Sequence, residues 1–195
     1  VGFLGGPETA TSTQDRLLGF GAELAKHPDV RFSHSFAQDY TFVAGRQEMQ
    51  RLLRDSPAEA YFCGDDILSI GALSAVKDAG LRVPEDIGLI GFNDMEMAGW
   101  ENISLTTIRQ PIQEIINASL ELIVTMLEEP DRKPEARLFP CQVVERSTLR
   151  PCREAAARCS GRGLSRRSPI RSASSSLPPF CRSSSTRTEA LWSSL

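Results

Sequence analysis

The sequence lacks the residue patterns of several common classes of protein. Its two histidines, His27 and His34, are isolated, and no Ser/His/Asp or Cys/His arrangement of a hydrolase is visible. No glycine-rich loop that would hold a phosphate is present, and no pair among the five cysteines has the CxxC spacing of a metal or redox site. We therefore expect a binding protein rather than an enzyme, with no metal ion and no cofactor.

Long hydrophobic runs are also missing. Apolar residues make up 41% of the 195 residues, but no run approaches the roughly 18 residues that a membrane-spanning helix needs. No signal peptide precedes the first predicted strand, and an odd number of unpaired cysteines favours free thiols in a reducing cytosol. These absences predict a cytoplasmic protein. Because the chain opens at Val1, already inside a strand, we expect it to be part of a longer protein.

Short apolar runs alternate with amphipathic stretches over the first 110 residues. Strands are predicted at residues 1–5, near 30–36, at 60–63 and at 87–92. Helices are predicted between them. The first is capped by Thr11 or Ser12, and the third is capped by Asp66 and followed by Gly80. This alternation indicates right-handed crossovers and an α/β fold with a doubly wound parallel sheet.

The pattern changes after Pro111. A single apolar stripe at helical spacing predicts one long amphipathic helix, which ends before Pro130. The stripe consists of Ile112, Ile115, Ile116, Ser119, Leu120, Ile123 and Leu127. A final strand is predicted within residues 137–147.

Polar residues follow three of the predicted strands. They are Ser12 and Arg16 after the first, Asp65 and Asp66 after the third, and Asn93 and Asp94 after the fourth. Because the carboxyl ends of parallel strands meet at one edge of a sheet, these residues should line one cleft. Carboxylates, amides and a guanidinium group bind vicinal hydroxyls, and the ring of Tyr40 could cover the apolar face of a sugar.

Two sequence segments carry a family resemblance. They are Val-Pro-Glu-Asp-Ile-Gly-Leu-Ile-Gly-Phe-Asn-Asp at residues 83–94 and Leu-Thr-Thr-Ile-Arg-Gln-Pro at residues 105–111. In this order they resemble the effector-binding domain of lactose-repressor (LacI/GalR) family transcription regulators. The resemblance implies two similar lobes joined by crossing strands. Residues 1–110 would form the C-terminal lobe, and residues 111–150 would be a return segment of an N-terminal lobe that is otherwise missing, as is the helix-turn-helix.

The same resemblance implies which residues contact the effector. They are Ser12, Arg16, Tyr40, Asp65, Asn93 and Gln110. Arg16 is supported by the run Arg-Leu-Leu-Gly-Phe at residues 16–20, which matches the family's Arg-x-x-Gly-aromatic pattern. Asp65 stands where the family often has Asn, and Asn93 stands where it usually has Asp, so the two positions could have exchanged roles.

These assignments have structural alternatives. Ser12 could serve only as a helix cap, Tyr40 could serve only in packing, and the Asn93-Asp94 pair could simply tolerate a turn. Asp66 is interpreted as a helix cap and is left out of the site.

The last 45 residues differ from the rest in charge and composition. Residues 151–195 carry a formal charge of +6 and twelve serines, which leaves −9 on residues 1–150. A basic, Ser/Arg-rich segment without apolar periodicity is expected to be disordered, and a nucleic-acid arm is a less favoured alternative. A shifted reading frame is a third alternative, because the family resemblance stops at residues 149–151.

The resemblance implies the sugar-sensing, or sugar-derivative-sensing, part of a LacI-type DNA-binding transcription regulator. The full-length protein would be a homodimer that contacts operator DNA only through the missing N-terminal domain. The alternative is a periplasmic sugar-binding protein of an ABC transporter, which shares the fold and the cleft. The two matched segments and the free cysteines favour the regulator.

Overall fold

The computed structural model describes residues 1–133 and 135–150, and within them six strands form one sheet. The strands are β1 (Gly2–Gly5), β2 (Ser33–Phe36), β3 (Ala60–Cys63), β4 (Gly88–Phe92), β5 (Thr107–Arg109) and β6 (Gln142–Val144). Their order in the sheet is β2-β1-β3-β4-β5-β6. The first five strands are parallel, and β6 pairs with β5 in the antiparallel direction. The observed final strand, β6, spans only three residues of the predicted range 137–147. Because β6 is antiparallel to β5, the sheet is mixed at this edge.

Four α-helices accompany the sheet in the described residues. They are α1 (Thr11–Leu24), α2 (Phe42–Asp55), α3 (Asp66–Asp78) and α4 (Ile112–Glu128), with a 3-10 turn at Glu96–Gly99. Apolar residues of α1 pack on one face of the sheet, against Phe3, Phe62 and Ile90. The residues of α2 and α3 pack on the opposite face, around Leu4 and Leu89. Helices on both faces of a largely parallel sheet confirm the predicted doubly wound α/β fold.

The course of the chain reverses next to β1. The connection through α1 leads from β1 outward to β2, and α2 then returns the chain past β1 to β3. The carboxyl ends of β1 and β3 therefore lie side by side where the winding changes direction. In open α/β sheets this switch point is the usual place of a ligand.

Two predicted helix caps are wrong. The side chain of Asp65, not Asp66, caps α3, since its Oδ1 accepts a hydrogen bond of 2.8 Å from the amide of Leu68. Helix α1 begins after Ala10 without a side-chain cap, so neither Thr11 nor Ser12 has that role. The predicted end of α3 is confirmed, because Gly80 follows it with a φ of 75°.

Helix α4 has no buried residue. The five side chains Ile112, Ile116, Leu120, Ile123 and Leu127 of its apolar stripe are 47–76% exposed. No helix within the described residues is long and apolar enough to span a membrane. The predictions for residues 151–195 concern a segment outside the described residues, and the assignment of residues 111–150 to a second lobe stays a prediction.

Helices α2 and α3 pack at close range because glycine stands at their contact. A Cβ atom on Gly71 would lie 2.2 Å from the carbonyl oxygen of Phe42. We expect Gly71→Ala to lower the free energy of unfolding by about 1–3 kcal/mol, the usual cost of overpacking. Chemical denaturation at one fixed protein concentration measures the effect.

Gly21 supplies the matched control. It also lies within a helix, but a Cβ there would meet only Phe32 Cε1, at 3.7 Å. Gly21→Ala should therefore raise the free energy of unfolding by about 0.5–1 kcal/mol. Equal effects of the two substitutions would contradict the proposed close contact.

Candidate functional site

The six residues that were predicted to contact an effector lie at one edge of the sheet. Each follows the carboxyl end of one of the five parallel strands. Ser12 and Arg16 follow β1, Tyr40 follows β2, Asp65 follows β3, Asn93 follows β4 and Gln110 follows β5. All six are partly exposed. They therefore lie where a ligand could reach them, at the edge that contains the switch point.

Tyr40 lies beside the residues that follow β1. Its hydroxyl shares hydrogen bonds with Thr13 Oγ1 at 2.6 Å and Ser12 Oγ at 3.1 Å. Its ring lies against the backbone of Gly6, where a Cβ atom would be 2.3 Å from ring carbon Cζ. These contacts fix the ring in position. Thr13 is buried and was missed in the sequence, since nothing in the helical pattern distinguishes it from Ser12.

Arg16 lies at the centre of the edge. It donates a hydrogen bond of 3.0 Å from NH1 to the carbonyl oxygen of Gly64, beside Asp65. Its guanidinium carbon is 4.2 Å from the centroid of the ring of Phe92, the residue that precedes Asn93 in the chain. A guanidinium group has five donors, and this stacking and hydrogen bond orient it between the β3 and β4 ends. Arg16 thus contacts the two residues that directly precede Asp65 and Asn93.

Asp65 combines a structural role with its position at the edge. Burial raises the pKa of its carboxyl group, whereas the amide of Leu68 and the nearby charge of Arg16 lower it, and the balance is a raised pKa. The carboxylate therefore caps α3 and also interacts with the charge of Arg16. Whether it also contacts an effector stays a prediction.

Asn93 and Gln110 form a hydrogen-bonded pair. The amide nitrogen Nε2 of Gln110 donates to Oδ1 of Asn93 at 2.8 Å. The backbone N–H of Asn93 donates to the carbonyl oxygen of Ile108, also at 2.8 Å, which extends the β4–β5 pairing past the end of β4. Asn93 has a φ of 111° and Asp94 a φ of 54°, so the chain turns sharply here. Asn and Asp tolerate such a left-handed backbone better than most residues.

Asp66 supports this turn from inside the protein. It is fully buried, and its carboxylate accepts hydrogen bonds from Thr107 Oγ1 at 2.5 Å and from the amide of Met95 at 2.7 Å. Burial raises its pKa, which the two hydrogen bonds partly counteract. A Cβ on Gly91 would lie 2.2 Å from Asp66 Oδ1, so glycine is needed for the carboxylate to approach β4.

An open groove adjoins the site. It has a volume of about 320 Å³ and extends from Phe92 and Gln110 along α4. Its other lining residues are Ile115, Ala118, Ser119, Leu122, Arg137, Leu138, Phe139 and Cys141. The groove is therefore lined mainly by apolar side chains, with Gln110, Ser119 and Arg137 as its polar residues.

The two cysteines in the described residues, Cys63 and Cys141, are free, as predicted. Burial raises the pKa of Cys63 to about 12 and also raises that of Cys141. Both thiols are therefore protonated at neutral pH, and neither has the lowered pKa of a reactive cysteine.

A family model described as a periplasmic binding protein-like domain matches residues 1–149. The chain belongs to this family. Its similarity to LacI-type repressors identifies it as an effector-binding domain of that type, which confirms the resemblance found in the sequence. The transcriptional repressor CytR of Escherichia coli K12 is 34% identical over 152 residues, which are 77% of this chain and 45% of CytR.

Two solved structures extend the comparison. The lac repressor dimer bound to operator and the anti-inducer ONPF has a TM-score of 0.69 and 26% identity, over 76% of this chain and 51% of the repressor chain. A LacI family regulator from Enterococcus faecium with bound ribose has a TM-score of 0.66 and 25% identity, over 77% of this chain and 56% of that chain. All three of these relatives are regulators of transcription.

The chain spans about half the length of the curated relatives it matches. The matched part is the LacI-type effector-binding region.

Proposed function

We propose that the carboxyl edge of this sheet forms one wall of a cleft that binds a sugar or a sugar derivative in the full regulator. Ser12, Arg16, Tyr40, Asp65, Asn93 and Gln110 are the proposed contacts. The observation that carries the proposal is that these partly exposed polar side chains follow the ends of five neighbouring parallel strands. Hydroxyl, carboxylate, amide and guanidinium groups together provide the donors and acceptors that vicinal hydroxyls require. The ribose bound by the Enterococcus faecium regulator supports a sugar as the ligand.

The proposed mechanism is a shift between two arrangements of lobes. In this proposal residues 1–110 supply one wall of the cleft, and residues 111–150 pack with the lobe that supplies the other wall. A ligand held between both walls favours their closed arrangement by its difference in affinity for the two states. Closure then changes operator affinity through a coupling free energy between the two sites. Operator DNA would be contacted by a part of the regulator other than this region.

We further propose that the full regulator is a cytoplasmic homodimer. The dimeric lac repressor on its operator supports this assignment. Phe42, Val43 and Trp100 are exposed apolar side chains. Phe42 and Val43 begin α2, which packs on α3. The segment that contains Trp100 is linked to α3 by a hydrogen bond from Lys77 Nζ to the carbonyl oxygen of Asn102. Exposed apolar groups of this kind are suited to an interface.

Arg16 provides the direct test of the proposed site. In a full-length relative that carries the same residues, Arg16→Ala should weaken sugar binding by about 1.5–3 kcal/mol, the usual value of a hydrogen bond to a charged group. Isothermal titration calorimetry with a series of pentoses and hexoses measures this loss.

Arg82→Ala is the matched control for Arg16→Ala. Arg82 forms an ion pair with Asp86 beyond the C-terminal end of α3, away from the candidate edge. The Arg82→Ala substitution should leave the affinity for sugar unchanged. An unchanged affinity in Arg16→Ala would remove Arg16 from the site, and equal losses in both variants would show a general effect on folding.

A further inference from the structure

The turn after β4 is held by charge as well as by backbone pairing. Asp94 follows Asn93, and its carboxylate binds two arginines at once. Oδ2 accepts a hydrogen bond of 2.6 Å from Nε of Arg109, and Oδ1 accepts one of 2.7 Å from NH2 of Arg146. Arg109 ends β5, and Arg146 lies two residues beyond the end of β6. One side chain therefore joins three chain segments that are far apart in sequence.

Arg146 is itself fixed by further contacts. Its NH1 donates to the carbonyl oxygen of Leu105 at 2.8 Å, and its backbone N–H donates to Thr106 Oγ1 at 3.0 Å. Two residues later, Thr148 is buried and bonds to both Leu89 and Thr106. The segment at residues 146–148 therefore packs along β4 and the approach to β5. If this segment moved relative to β4, either the ion pair between Asp94 and Arg146 would break or the turn that contains Asp94 would move with it.

The two ion pairs of Asp94 differ in how far they are buried. The Asp94 side chain is 7% exposed and that of Arg146 is 20% exposed, whereas Arg109 is 54% exposed. Solvent and salt screen the Arg109 pair, and they screen the Arg146 pair much less. The shielded pair with Arg146 is thus the main electrostatic link between the β4 turn and the end of β6.

We propose that Asp94 is a positioning residue for the effector site. Through Arg109 it ties the turn that carries Asn93 to the end of β5, and through Arg146 it ties the same turn to the segment that follows β6. A displacement of β5 or of residues 146–148 is thereby transmitted to the Asn93–Gln110 pair. The role of Asn93 as an effector contact rests on the proposed function, whereas the mechanical link is a property of this chain.

Amide hydrogen exchange of the 195-residue chain tests the link. Asp94→Asn keeps the shape of the side chain and removes its charge. We expect exchange to become about tenfold faster, or more, both at residues 93–95 and at residues 146–148, with β1 and β2 unchanged. Asp86→Asn is the matched control, since it removes one carboxylate of a surface ion pair with Arg82 and should leave both segments as they are.

A second pair of variants separates charge from packing. Arg146→Gln should reproduce the pattern of Asp94→Asn, and Arg146→Lys should restore slow exchange at residues 93–95 at least in part. Unchanged exchange in Asp94→Asn, acceleration spread evenly over the whole sheet, or a lysine variant no better than the glutamine variant would each overturn the proposal. The experiment contains no sugar, so a full-length relative that failed to bind any sugar would refute the proposed function without altering this result.

Discussion

The 195-residue chain, expressed by itself, is expected to self-associate through the apolar face of α4. Five aliphatic side chains of this face are 47–76% exposed: Ile112, Ile116, Leu120, Ile123 and Leu127. Burial of one such side chain stabilises a protein by about 1.5–3 kcal/mol. The five together approach the net stability of about 5–15 kcal/mol of a typical domain. A contiguous exposed face of this size favours association in water.

Light scattering after size-exclusion chromatography measures this association. Leu120→Glu combined with Leu127→Glu places two charges on the face and should shift the chain toward the monomer. Leu18→Glu is the matched control, because Leu18 is 73% exposed on α1 and its replacement should leave the association unchanged. We also expect no sugar-dependent rise in melting temperature, because one wall of a cleft buries too little of a ligand.

A well-behaved monomer whose melting temperature rises with a sugar would contradict both expectations. It would show that α4 is not an association surface and that one wall of the cleft is sufficient for binding.

Asp66→Ala is expected to lower the free energy of unfolding by about 2–4 kcal/mol, because it leaves the buried Thr107 hydroxyl and the Met95 amide without their acceptor. Each unsatisfied buried group costs about 1–3 kcal/mol. Asp65→Ala is the matched control at the adjacent position. It removes one helix cap on a partly exposed residue and should cost only about 0.5–2 kcal/mol. All variants must be compared at one protein concentration, since association couples to stability.

The pH dependence of Asp66→Asn adds a second measurement. Burial raises the pKa of Asp66 above 3.8, so the folded state favours the protonated carboxyl group. The free energy of unfolding therefore falls as the pH rises from 3.8 through the raised pKa, because the buried carboxyl group becomes charged. Asparagine at this position has no charge to desolvate. The free energy of unfolding of the unsubstituted chain minus that of Asp66→Asn should be larger below pH 3.8 than at neutral pH. A difference that grows as the pH rises would show that the buried carboxylate is stabilised in its charged form.

The local elements were accessible from sequence because their periodicities are local. Buried strands of four or five apolar residues and helical spacing at three to four residues predicted β1, β3, β4 and the helices. The final strand predicted over residues 137–147 contains β6, but β5 is too short to give such a pattern and was not predicted. The antiparallel direction of β6 depends on how the chain returns after α4. The motif residues predicted that the candidate contacts follow the carboxyl ends of the parallel strands, and the structure places them there; their contact with an effector stays a prediction.

The roles of neighbouring acids depended on the tertiary structure. Adjacent residues on a helix point about 100° apart, so the residue at which α3 begins decides which acid caps it and which enters the core. That residue is Asp66, which places Asp65 at the cap and turns Asp66 toward Thr107, 41 positions away in the chain. The contact of Asp94 with Arg146 spans 52 positions. The sequence by itself determined the helices, the strands other than β5, and the family, because these follow from short-range patterns. Only the tertiary structure decided which charges meet, because packing brings together residues that no local periodicity relates.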